Sequence, residues 1–72
     1  MINIRNYIIN NFKNDNLEDL KKAIEDSIAS KEEDPLLGMG VLFELAWLNS
    51  NDSTKEIILN NIIKGIKKNN SQ

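Results

Sequence analysis

Leu36-Leu37-Gly38-Met39-Gly40-Val41-Leu42-Phe43-Glu44-Leu45-Ala46-Trp47-Leu48 is the stretch on which the fold turns. Placed on a helical wheel, Leu36, Leu37, Met39, Val41, Leu42, Phe43, Leu45, Ala46, Trp47 and Leu48 surround the axis, and Glu44 is the one charge among them. Gly40 and Glu44, four apart, mark the single thin polar stripe. A helix that is apolar on every side has to be buried by something. The helix is therefore either the central core element of its own chain or, in part, a surface that a second copy covers. In the latter case Ile57 joins Leu37, Gly38, Met39, Gly40, Val41, Leu42, Phe43, Glu44 and Trp47 as a candidate interface residue. Gly38 and Gly40 weaken a helix interior by about 1 kcal/mol each relative to alanine. Close approach of another backbone, or a special turn at the helix start, is the expected compensation.

Helix signals continue on both sides of this stretch. Asp34-Pro35 reads as an N-cap followed by proline at the first helical position. Asn49 to Asp52 form a polar turn. Ser53-Thr54-Lys55-Glu56 matches a capping box that opens a fourth helix. Ile58, Leu59, Ile62, Ile63 and Ile66 share one face of it, and Asn60, Asn61, Lys64, Lys67 and Lys68 lie opposite, with Ile57 stranded among them. That helix is expected to end near Lys68, leaving residues 69–72 as a frayed tail. Upstream, Asn16 caps a second helix, Leu17–Ser30, with Glu18 and Asp19 in its first turn. Leu17, Leu20, Ala23, Ile24, Ser27 and Ile28 form its apolar face, and Glu18–Lys22 is a favourable i,i+4 pair. A first helix, about Asn3 to Lys13, rests on Ile4, Ile8 and Phe12 recurring every four residues. With no sustained two-residue alternation, the expected fold is all-α, a compact bundle of four short helices forming one domain over residues 1–68.

The whole chain has 72 residues. So short a sequence buries only roughly 60% of its unfolded surface, and such chains often add a disulfide, a metal or a partner. It contains no Cys and no His, which removes disulfides, thiolate metal sites and the commonest neutral-pH general base. A partner subunit is the supplement left. The net charge is −2 and the pI about 5.0, the wrong sign for a strong nucleic-acid binder. No apolar run long enough to span a membrane is present, and the N-terminus lacks the features of a secretory signal, so a cytoplasmic location is expected.

Glu44 is the one carboxylate in an apolar setting, where burial would raise its pKa. No nucleophile, second carboxylate or oxyanion donor accompanies it, and pairing with Arg5 or a lysine is the simpler expectation. Asp15, Glu18 and Asp19, and the run Glu32-Glu33-Asp34, do not have calcium-loop spacing. No catalytic residue, cofactor, metal or small-molecule substrate is expected. Lys64, Lys67 and Lys68 complement the dipole at a helix C-terminus. They are also the only candidate phosphate contacts. Eight carboxylates against three lysines between residues 15 and 34 oppose that role, as does the lack of interleaved aromatics.

Leu37-Gly38-Met39-Gly40-Val41-Leu42-Phe43-Glu44, with Trp47 three residues on, resembles the signature of the small acid-soluble spore protein I family. Asn3-Ile4-Arg5, Ile8, Ile9 and Asn10, and Leu17-Glu18, Leu20, Ile24, Asp26, Ile28 and Ser30, are similar as well. The resemblance covers nearly the whole chain. It departs at Leu37, where the family tends to place a proline; the only proline here is Pro35. The resemblance implies synthesis in the forespore of a Gram-positive spore-former and accumulation in the spore core, with no known molecular activity. It does not extend to the DNA-coating class of acid-soluble spore proteins. The expected role is a spore-core structural or interaction protein that self-associates through the third helix. The alternatives are a weak DNA binder using the basic tail, and a small acidic regulator that grips a partner protein with Phe43 and Trp47.

Overall fold

A computed structural model describes residues 3–70. Helix α1 is Ile4–Phe12, α2 Leu17–Ser30, α3 Asp34–Leu48 and α4 Asp52–Asn70. All regular structure among the described residues is helical, as the sequence predicts. The residues expected to fray beyond Asn70, Ser71 and Gln72, lie outside the described range.

Short polar residues punctuate the chain. The Asn3 side chain accepts from the Asn6 amide at 3.1 Å and opens α1. Asn16 and Asp19 cap α2 reciprocally: Asn16 Oδ1 accepts from the Asp19 amide at 2.8 Å, and Asp19 Oδ2 accepts from the Asn16 amide at 3.3 Å. Helix α2 stops at Lys31, whose backbone is left-handed at φ 59°, the conformation that glycine usually supplies at a helix end. On the outer face of α2, Lys22 turns to Asp26 at 2.9 Å rather than back to Glu18, and Lys21 reaches Glu25 at 3.2 Å.

Two caps differ from expectation. Asp34 is the first residue of α3 rather than its cap. Glu33 precedes it without a side-chain cap bond, and the Leu36 amide donates to the Glu33 carbonyl at 3.0 Å. Pro35 has no amide hydrogen to be capped, so winding begins one residue early at little cost. Before α4, Asn51 rather than Ser53 is the cap, its Oδ1 accepting from the Thr54 amide at 2.8 Å. Helix α4 also runs past Lys68 to Asn70, with Asn69 Nδ2 donating to the Gly65 carbonyl at 3.1 Å.

Helix α3 is the hub. It packs on α1 and on α2, and α4 makes no comparable packing with any of the three. Half-buried Ile8, Phe12, Leu20, Ala23, Leu42 and Leu45 line the junctions around Val41, the one buried residue among those described, 7% exposed. Enclosure of α3 by its own neighbours is therefore not met: Leu36, Leu37, Phe43 and Leu48 are all exposed. The radius of gyration is 13.9 Å, against about 11 Å for a tightly folded chain of this length. The reason is geometric. The apolar face of α2 contributes only Leu20, Ala23 and Ser27 to the junction, leaving Leu17, Ile24 and Ile28 exposed. Helix α4 leads away from the hub instead of lying across it.

Candidate functional site

The wheel of α3 divides sharply once its neighbours are in place. Val41, Leu42, Leu45 and Gly38 point toward α1 and α2 and are buried or half-buried. Leu36, Gly40, Phe43 and Trp47, spaced 4-3-4, run along the other side, where Leu36 and Gly40 also border an open groove against α1. Leu36 is 57% exposed, Phe43 45% exposed, and Gly40 leaves bare backbone between them. Trp47 is half-buried. Its ring lies 6.0 Å from that of Phe43 at an interplanar angle of 32°, within the range of favourable aromatic pairs. Across the turn, Lys55 Nζ sits 5.2 Å from the Trp47 ring, a cation–π contact that ties the start of α4 to the end of α3.

Glu44, the one charge of α3 beyond its first turn, is paired. Arg5 on α1 meets Glu44 two-pronged, Nε to Oε1 at 2.7 Å and Nη2 to Oε2 at 3.0 Å. These hydrogen bonds are the main reason that the Glu44 carboxyl lies below its ordinary range and the Arg5 guanidinium above its own. Partial burial pulls Glu44 upward but is outweighed by Arg5, so the environment that would tune it as an acid near neutral pH is missing. Beside the pair, Ile4, Leu36, Leu37, Gly40 and Val41 line an open groove of about 460 Å³ between α1 and α3. A second gap of about 310 Å³ opens where Gly38, Met39 and Leu42 face Ile8 and Phe12.

The glycines overturn one expectation. Neither has a left-handed backbone, and a Cβ built on Gly38 or Gly40 meets nothing within 4 Å. No close approach inside the chain and no special turn accounts for them. Ile57 is 61% exposed, on the side of α4 opposite its Ile58–Ile66 face. Lys64, Lys67 and Lys68 are exposed along the far half of α4 and border a shallow surface depression with Gly65. Among the described residues, no three acidic side chains gather in a metal-binding cluster, and no helix is long and apolar enough to cross a membrane. Sequence reasoning missed Asn51 and Lys55. The available signal for Asn51 was its rank among capping residues, and for Lys55 its place within the first turn after a Trp-ended helix.

The family model described as "Small, acid-soluble spore protein I" matches residues 2–66, a span that takes in α1, α2, α3 and most of α4. This chain belongs to the small, acid-soluble spore protein I family. The protein of that name from Bacillus velezensis is 41% identical over 66 residues, covering 92% of this chain and 93% of the relative. Those of Bacillus subtilis and Geobacillus kaustophilus are 39% and 38% identical over the same length, covering 93% and 96% of the relatives. No solved structure matches the chain. Family membership makes the chain a spore protein, and the family is not a known enzyme family. The family-like motif, Leu37 to Glu44 with Trp47, thus coincides with the helix that joins the bundle and is left half uncovered.

Proposed function

We propose that this chain is a non-catalytic protein of the spore core that works by contact, its primary partner being a second copy seated on the open face of α3. The observation that carries this is the Leu36–Gly40–Phe43–Trp47 stripe, whose 4-3-4 spacing is that of a helix-packing seam. The stripe is self-complementary. An antiparallel crossing centred between Gly40 and Phe43 sets each Phe43 ring into the bare notch at the other copy's Gly40, and each Leu36 beside the other's Trp47. Such a two-fold contact closes on itself. It also gives Gly40 the close neighbour that its own chain does not supply. Burying large aromatic surface against a small residue is how interface hot spots are built.

Sedimentation equilibrium from one to one hundred micromolar tests this. The expected result is reversible self-association, with Phe43→Ser removing the α3 contact and weakening that association while its circular dichroism stays helical. A wild-type chain that stays monomeric throughout overturns the proposal. Duplex DNA binding that falls steeply with salt and depends on Lys64, Lys67 and Lys68 would favour the nucleic-acid alternative instead. Recovery of one stoichiometric protein from spores, with no self-association, would favour the regulator.

A further inference from the structure

Helix α4 poses a separate problem. It is 19 residues long, and from Leu59 to Asn69 every residue is exposed. Its outer half contains Asn60, Asn61, Gly65 and Asn69 among β-branched isoleucines, a composition with poor intrinsic helicity. Isolated helices of such length are marginal in water even when rich in alanine. A projecting helix of this composition therefore requires a partner along its apolar stripe, where Leu59, Ile62, Ile63 and Ile66 are all exposed.

The charges on α4 select the partner. Asp52 and Glu56 lie at its beginning, and Lys64, Lys67 and Lys68 in its last half. Glu56 and Lys67 border the same edge of the Ile58–Ile66 stripe, since they fall within about 20° of each other on a wheel of 100° per residue. Two-fold antiparallel packing brings like edges together, so this edge meets its own copy with its direction reversed. A dyad at Ile62 then places Ile58 against Ile66 of the other chain, Ile62 against Ile62, and Glu56 within one residue's rise of Lys67. Parallel packing would instead set basic half beside basic half. A lipid surface or a nucleic acid has no use for the acidic end.

We propose that α4 is a self-recognition helix that pairs antiparallel with α4 of a second copy, Glu56 of each chain lying beside Lys67 of the other. This goes beyond the α3 proposal and does not rest on it. It gives the chain a second self-complementary surface.

The chain has no cysteine, so site-specific crosslinking is clean. Full-length Glu56→Cys and Lys67→Cys chains are mixed under a thiol–disulfide buffer. The 56–67 mixed disulfide is expected to exceed both like-with-like products by severalfold. It should also exceed crosslinks from an Asp26→Cys control on the outer face of α2. Dominance of 56–56 crosslinks, or yields no better than the control, overturns the proposal. Because the cysteines remove the charges, the pairing is checked a second way in Phe43→Ser chains, where α3 contacts are silenced. Lys67→Glu should weaken self-association by about fivefold, from two symmetric surface pairs turned repulsive, and adding Glu56→Lys should restore it. A dissociation constant that ignores the single swap, or a double swap that fails to rescue, rejects the arrangement. So does an α4 that becomes protected only on phosphatidylserine vesicles or duplex DNA, with no crosslink between copies.

Discussion

Replacing Gly40 by alanine should make the isolated chain more stable and its assembly weaker. Gly40 is inside α3, has no positive φ, and offers an added Cβ open space to 4 Å. The monomer therefore gains the full helix-propensity difference, about 1 kcal/mol, part of it from a less flexible unfolded chain. For a domain of this size that corresponds to a rise in melting temperature of about 4–8 °C. In the proposed dimer, the added methyl would fill the notch that receives the other copy's Phe43. Overpacking of this kind costs about 1–3 kcal/mol, roughly a tenfold loss of affinity for each 1.4 kcal/mol. The assay has two arms: thermal unfolding by circular dichroism at low micromolar concentration, and sedimentation equilibrium at high concentration. A Gly40→Ala monomer that melts lower refutes the described surroundings of Gly40. A monomer that melts higher while dimerising as tightly as wild type refutes the notch.

The Arg5–Glu44 pair makes an acid-sensitive contribution. Its folded Glu44 pKa lies below the unfolded value, so the stabilisation is present above the ordinary carboxylate range and is lost as pH falls through the folded value. Urea midpoints measured from pH 7 to pH 2 should drop less for Glu44→Gln than for wild type, and parallel curves would show that the pair contributes nothing. Asn16→Ala should cost about 1 kcal/mol by removing half of a reciprocal cap, read as a lower urea midpoint at unchanged slope. Lys31→Gly should stabilise by about 0.5 kcal/mol. Relief of the left-handed backbone, about 1–2 kcal/mol, exceeds the extra entropy of unfolded glycine; a lower midpoint would contradict the left-handed end of α2.

The four helices were legible because their ends are chemically marked. Asn16 and Asp19 bracket the start of α2, Pro35 admits only the first turn of α3, and Ile4, Ile8 and Phe12 can share a face only in a helix. Asn51 was misread because Ser53-x-x-Glu56 satisfies the same local rule two residues later, and local rules do not rank two valid caps. What the residues could not reveal was closure. Periodicity identifies the apolar side of α2 or α4, but whether that side meets α3 depends on the angles of two short turns, Lys13–Asn16 and Asn49–Asn51. The interface candidates were legible as a group through the all-apolar wheel of α3. Which of them face outward was not, because a wheel apolar all round has no distinguished direction until α1 and α2 occupy one side of it. Arg5 and Glu44 lie 39 residues apart, and only the isolation of Glu44 hinted that it would seek a cation.

A core that consists of Val41 has a thermodynamic consequence. Unfolding such a chain exposes little new apolar surface, so the heat-capacity change and the denaturant slope are small and the melting curve is broad. In the proposed self-association, much of the surface that could sharpen the transition is covered when copies meet, and mass action then links folding to abundance. In the proposed assembly the chain at high concentration is expected to be cooperative and protease-resistant. Dilution of such an assembly would loosen it and open it to cleavage without any change of pH, ligand or covalent state, so crowding and dispersal themselves would be its switch.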